Sequence, residues 1–296
     1  MAEVITSPSN PKIKRLLALQ QKSSARREAG LFVVEGQREL QHCVDAGFDI
    51  DTIFVCTSLG GGAPLQNFAL RAHPSQPGGW APPVHEATGG HGFAGEASAL
   101  AALQTRVFEV SEEVYAKISY REGTEGVIAE VRTPERKLAD LELPENPLIV
   151  VLESVEKPGN LGAVLRSADA AGADAVLICD PLTDLWNPNL IRASIGAVFT
   201  VPCVACSSAE AIAFLKARGI RILTAQLQDS SLYYDCDMTV GTALVMGTEA
   251  TGLTDAWRAA ADAHIRIPML GRLDSLNVSV SAAILLFEAV RQRQNG

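Results

Sequence analysis

From Leu148 to the C-terminus, short apolar runs of strand length alternate with stretches of helical spacing. The strands read as 148–152, 175–179, 197–201, 220–225, 243–246 and 265–267. Helices fall up to 171, near Leu190, over 209–217 and from 278 onward. Apolar strands joined by helical crossovers predict an α/β domain with a parallel sheet covered on both faces. Ligands of such sheets bind beyond the carboxyl ends of the strands. The polar and Gly-rich segments here follow strands, so they are expected to gather at one rim.

Three of those segments carry candidate chemistry. After the 148–152 strand, Pro158-Gly159 leads into a helix with Asn160 near its start. Arg166 lies about one and a half turns further on, within reach of the same rim. After 243–246 comes Gly247-Thr248-Glu249-Ala250-Thr251-Gly252. Its glycines permit close backbone approach, and Glu249 suits a helix N-terminus. After 265–267 a Pro/Gly loop enters a helix at Ser275 or Asn277, both cap-forming types. From 278 to 290 that helix is apolar on nearly every side, so it must be buried in the core or against another subunit. Taken singly, these are a turn, a cap and an exposed arginine.

Taken together and in order, they resemble the three signature motifs of the SpoU/TrmH family of RNA ribose methyltransferases. Lys157 stands where the family often has Asn or Asp, and Ala250 replaces a frequent Gly. The resemblance implies a C-terminal domain, 147–296, with a deep trefoil knot, acting as a homodimer. It implies methyl transfer from S-adenosylmethionine to a ribose 2′-hydroxyl of RNA. By motif position, Gly247, Ile267 and Leu276 line the cofactor's adenine and ribose; Thr224 and Met269 join them only as residues at strand ends. Arg166 becomes the residue that helps the hydroxyl lose its proton. Asn160, Glu249, Ser275 and Asn277 fix Arg166, the ribose and the loops. No metal is required. Arginine normally stays protonated, so Arg166 would stabilise the developing alkoxide or act with a neighbouring RNA phosphate.

The N-terminal part, 1–140, reads as a small mixed α/β unit. Ser9-Asn10-Pro11 starts a helix; 31–35 and 50–57 are strands around a helix at 37–46; 107–110, 114–118 and 126–131 complete it. Six basic residues precede residue 28 with no acidic one after Val4: Lys12, Lys14, Arg15, Lys22, Arg26 and Arg27. Charge alone fits a solvated helix face as well as a phosphate-contacting patch. The runs 5–14 and 32–36 resemble the substrate-binding domain ahead of many SpoU/TrmH enzymes. That resemblance implies that Lys12, Lys14, Arg15, Arg26, Arg27 and Arg38 meet RNA. An extra domain of this kind favours ribosomal over transfer RNA.

Residues 59–98 are rich in Gly and Pro and read as a flexible insertion. Gly90-His91-Gly92-Phe93-Ala94-Gly95 matches a dinucleotide-binding pattern, but no strand precedes it, so it is rejected. His73, His85 and His91 lack metal-ligand spacing. Residues 133–147 read as a linker.

The net charge of −9 excludes a general nucleic-acid binder, so any RNA contact must be local. An apolar content of 47% supports a large core. The N-terminus lacks signal-peptide patterning, and no apolar run reaches membrane-spanning length. Six cysteines in 296 residues suggest no disulfide framework, and Cys203 and Cys206 read as packing residues. A reduced, cytoplasmic protein is the expectation. The rival readings are a non-catalytic RNA-binding module and an unrelated nucleotide-binding enzyme such as a dehydrogenase; cofactor binding separates them.

Overall fold

The computed structural model describes residues 4–60, 105–120, 125–248 and 251–295. Most of the 59–98 insertion and Glu249 lie outside the described residues. The chain divides into two compact units, residues 1–135 with 186–192, and residues 136–185 with 193–296.

The first unit contains β1 (Val4–Ile5), α1 (Pro11–Gln21), α2 (Ser23–Ala29), β2 (Leu31–Glu35), α3 (Gln37–Asp45), β3 (Ile50–Val55), β4 (Arg106–Val110), α4 (Glu112–Ile118) and β5 (Val127–Arg132). Asn10 caps α1 by accepting from the Lys12 amide at 2.9 Å, with Pro11 in the first turn where its missing N–H costs nothing. Ile13, Leu16 and Leu19 form the buried stripe of α1. They pack with Phe54, Tyr115 and Ile128 over a sheet of order β1-β4-β3-β5-β2. β5 runs antiparallel to both neighbours, and the remaining pairs are parallel. The sheet is therefore mixed, with parallel and antiparallel pairs. The 186–192 segment belongs to this unit through Trp186, whose ring stacks on Phe32 at 4.5 Å.

The second unit contains β6 (Leu148–Glu153), α5 (Pro158–Ala170), β7 (Ala175–Cys179), the end of α6 (Pro188–Ser194), α7 (Ala197–Thr200), β8 (Cys203–Cys206), α8 (Ser208–Ala217), β9 (Arg221–Ala225), β10 (Ser231–Leu232), β11 (Thr242–Met246), α9 (Asp255–Ala260), β12 (Ala263–Arg266) and α10 (Val278–Asn295). The sheet order is β10-β12-β9-β11-β6-β7-β8, with every described pair parallel. All six residues of β6 and all five of β7 and of β11 are buried, which is what helices on both faces demand.

One expectation is corrected here. The 197–201 segment is not a strand: Ala197–Thr200 is a helical turn, and the strand beside β7 is Cys203–Cys206. An apolar run of five residues has no period with which to tell the two apart. Helix α10 is not buried all round within the chain. Val278, Ala282, Leu285, Leu286 and Ala289 are covered, and α10 packs on α5. Val280 and Phe287 remain 47% and 49% exposed.

Candidate active site

The parallel order of β6, β11, β9 and β12 brings their carboxyl ends to one rim. At the end of β6, Ser154 takes a left-handed φ of 51°, and the chain turns through Lys157 into α5. Asn160 is the third residue of that helix. Gly162 sits where a Cβ would come within 2.8 Å of the Ala193 carbonyl carbon and the Ser194 amide. Only glycine fits that approach. Arg166 is exposed on α5 and forms no ion pair among the described residues. It stands about 9 Å along the helix from Asn160.

Beyond β11, a Cβ on Gly247 would lie 2.6 Å from the Leu253 amide nitrogen. The loop folds back on itself: the Gly252 amide donates to the Thr248 carbonyl at 3.1 Å, and Gly252 takes φ +67°. Beyond β12, Ile267 and Met269 are half-buried, while Leu270 is 96% exposed and Leu273 76%. The Ser275 hydroxyl donates to Asp274 at 3.3 Å. Of the two cap candidates, Asn277 is the cap of α10. Its Oδ1 accepts from the Ser279 amide at 3.0 Å and from the Ser279 hydroxyl at 2.6 Å. Its Nδ2 donates to Asn160 Oδ1 at 3.1 Å. The first and third segments are thereby joined directly.

Thr224 does not offer its side chain to this rim. It is fully buried in β9, and its hydroxyl bonds His264 Nδ1 at 2.6 Å. Strand-end position alone carried that expectation, and it cannot say which face a side chain takes.

Among the basic residues of the first unit, Lys14, Arg27 and Arg38 are exposed, with Arg38 paired to Glu39 at 2.9 Å. Lys12 lies over the Phe108 ring at 4.5 Å. Arg15 pairs with the buried Glu130 and approaches Asp51 at 3.7 Å. Arg26 is a correction. It is 4% exposed and donates to the carbonyls of Leu19 at 2.6 Å and Gln20 at 3.4 Å. It closes the C-terminal end of α1, where orphan carbonyls need donors, and does not face solvent.

Sequence reading missed two polar clusters. In the first unit, Asp51 accepts from Thr52 at 2.8 Å and from Arg132 at 2.8 Å, and pairs with Arg106. Burial pushes its carboxyl up, but Thr52, Arg106 and Arg132 outweigh burial and hold it below the ordinary value. Burial raises Glu130, against the opposing pull of Arg15. In the second unit, Glu153 is 3% exposed and gathers Ser208 and Thr254. A glutamate ending an apolar strand was the available signal.

Gly247, packed against the backbone of Gly252 and Leu253, and the exposed Leu270 and Leu273 follow β11 and β12 at this rim. Among the described residues, no cluster of three or more His, Cys, Asp or Glu could hold a metal ion. A parallel sheet with glycine and asparagine loops at its carboxyl rim, and an exposed arginine beside them, defines an α/β domain whose candidate ligand site is that rim. Residues 147–287 match the SpoU rRNA Methylase family, and residues 10–74 match an MRM3-like substrate binding domain. The chain is 32% identical over 180 residues to a 23S rRNA (guanosine(2553)-2′-O)-methyltransferase of Bacillus subtilis (strain 168), a match covering 61% of this chain and 71% of that one. A crystal structure of an RNA 2′-O ribose methyltransferase aligns with 98% of this chain and 99% of its own, at 37% identity and a TM-score of 0.73. The AdoMet-bound rRNA methyltransferase of Sinorhizobium meliloti aligns with 98% and 97% of the two chains, at 28% identity and a TM-score of 0.81. The protein belongs to the SpoU family of rRNA methylases.

Proposed function

We propose that this protein transfers the methyl group of S-adenosylmethionine to a ribose 2′-hydroxyl of ribosomal RNA. The observation that carries the site assignment is the 3.1 Å bond between Asn277 and Asn160, which joins two motif loops near Arg166. When bound, S-adenosylmethionine supplies a methyl group already activated by its sulfonium. The chain's own task is then to orient the hydroxyl and help it lose its proton. The Arg166 guanidinium stabilises charge developing on the 2′-oxygen. A donor aimed at such an oxygen is worth about 3–4 kcal/mol. Asn160, Ser275, Asn277 and Glu249 hold Arg166, the ribose and the loops. Gly247, Ile267, Met269 and Leu276 hold the cofactor largely through main-chain groups, and Thr224 can join them only in that way.

Residues 1–140 act as the substrate domain and 147–296 as the methyltransferase domain. Lys12, Lys14, Arg15, Arg27 and Arg38 meet the RNA backbone, a local patch on an acidic chain. The C-terminal domain carries the deep trefoil knot of the family. Supporting this, β11 enters the sheet between the earlier strands β6 and β9. The protein works as a homodimer in the cytoplasm, and exposed Leu270, Leu273, Val280 and Phe287 support a second copy covering this face.

The test is transfer of labelled methyl from S-adenosylmethionine to separated ribosomal and transfer RNA, with Arg166→Ala alongside. Ribose label in ribosomal RNA, reduced at least about 100-fold in the variant, is expected. Full activity in a folded Arg166→Ala protein would remove Arg166 from the mechanism. Absence of cofactor binding would favour the non-catalytic RNA-binding module.

A further inference from the structure

The loop that follows β11 is tied down at both ends beside one buried carboxylate. Pairing of Met246 with Leu152 sets Gly247, where the loop begins, abreast of Glu153. The loop ends at Thr254, whose amide donates to Glu153 Oε2 at 2.9 Å and whose hydroxyl donates to Glu153 Oε1 at 2.7 Å. Thr254 is the N-cap residue of α9, yet it makes no side-chain cap bond to that helix. A threonine at that position ordinarily caps its own helix; this one reaches to β6. Glu153 also bonds Ser208 through the oxygen that accepts from the Thr254 hydroxyl. The Ser208 hydroxyl lies 3.2 Å from Glu153 Oε1 and 2.6 Å from Asp180 Oδ2, and it accepts from Trp257 Nε1 at 3.0 Å. Its one proton serves both carboxylates, with Asp180 the nearer.

We propose that Glu153 and Thr254 are positioning residues that hold Gly252 to Thr254 beside Gly247 in the arrangement that receives the cofactor. This rests on the reading of that loop as part of the S-adenosylmethionine site. Neither residue needs to touch the cofactor. Without the tether, the Gly247 cradle and the Gly252 turn keep their sequence but lose a fixed end, and the cofactor must order the loop as it binds. That cost falls on binding, not on the methyl-transfer step once the site is filled.

The measurement is S-adenosylmethionine affinity by calorimetry on full-length Thr254→Val, Thr254→Ser and Glu153→Gln proteins, with single-turnover methylation of ribosomal RNA at saturating cofactor. Thr254→Val keeps the shape and removes the hydroxyl donor. It should raise Kd roughly tenfold, the weight of one hydrogen bond to a charged group. The rate at saturation should stay within about twofold. Thr254→Ser restores the donor and should restore affinity. Glu153→Gln, which keeps the volume but replaces one acceptor oxygen with a donor, should weaken binding like Thr254→Val. Wild-type affinity in Thr254→Val would overturn the inference, as would a serine variant binding as weakly as valine. Loss of rate at saturation with affinity intact would overturn it too. A wild-type protein that fails to bind S-adenosylmethionine would instead sink the proposed function, and the tether with it.

Discussion

The side-chain amide of Asn277 donates to the side-chain oxygen of Asn160 at 3.1 Å, across 117 residues of sequence. Asn277 holds α10 with its oxygen and α5 with its nitrogen. Those two jobs need opposite ends of one amide, so aspartate can do only the first.

Asn277→Asp should therefore keep the cap and lose the bond to Asn160. Its stability should stay within about 0.5 kcal/mol of the parent. Methylation should fall nonetheless. Asn277→Ala loses both functions and should cost about 1 kcal/mol of stability in addition. Denaturant unfolding beside a methylation assay separates the two. Equal activity in Asn277→Asp and the parent would leave the bond with no role in the site.

Gly247→Ala asks for a Cβ 2.6 Å from the Leu253 amide, against main chain that cannot rotate away. Gly252 and Leu253 must move away, and S-adenosylmethionine affinity should fall at least about fivefold, since overpacking of this kind costs about 1–3 kcal/mol. Gly162→Ala makes a comparable clash with Ala193 and Ser194. It should lower the unfolding midpoint as well. Calorimetric titration with cofactor reads the first and thermal unfolding the second.

Arg26 and Lys14 carry the same charge and should behave differently. Arg26→Ala strips donors from the Leu19 and Gln20 carbonyls and should cost about 1.5–3 kcal/mol of stability. Its effect on RNA binding should be confined to that loss of fold. Lys14→Ala and Arg27→Ala should leave unfolding unchanged. Each should reduce the salt-dependence slope of RNA binding by about one. Filter binding across a salt series, set beside unfolding curves, checks both.

Asp51 has its carboxyl held below the ordinary value near 3.9. A depressed folded value means that the charged form stabilises the native state above the unfolded pKa, and that this is lost as pH falls through the folded value. Asp51→Asn should therefore be less stable than the parent at neutral pH, with the gap closing below about pH 4. A pH series of unfolding curves tests this; a gap that widens in acid would contradict the sign.

Much of the C-terminal fold was legible because buried parallel strands leave apolar runs that helices interrupt. β6, β7, β9 and β11 follow that rule. The rule failed at 197–206, where two apolar runs of four or five residues adjoin and only packing decides that the second is the strand. The pairing of Asn160 with Asn277 has no local signature; a family resemblance placed the two residues in one site. The tether from Glu153 to Thr254, across 101 residues, was illegible on both grounds. Neither residue belongs to the motif positions assigned a role, and a threonine before a helix reads as a cap. Arg26 shows the reverse error, since a basic residue in a basic stretch reads as surface until its burial is known.

The position of β11 between β6 and β9 also governs how the chain is made. β7 leaves the ribosome soon after β6, but the other neighbour of β6 is encoded by Thr242–Met246. At typical synthesis rates the interval is on the order of ten seconds. Through that time β6, apolar on both faces, offers a bare edge to any other nascent chain. Rapid overproduction should therefore drive newly made protein into aggregates, and slowing translation or supplying a chaperone should recover it.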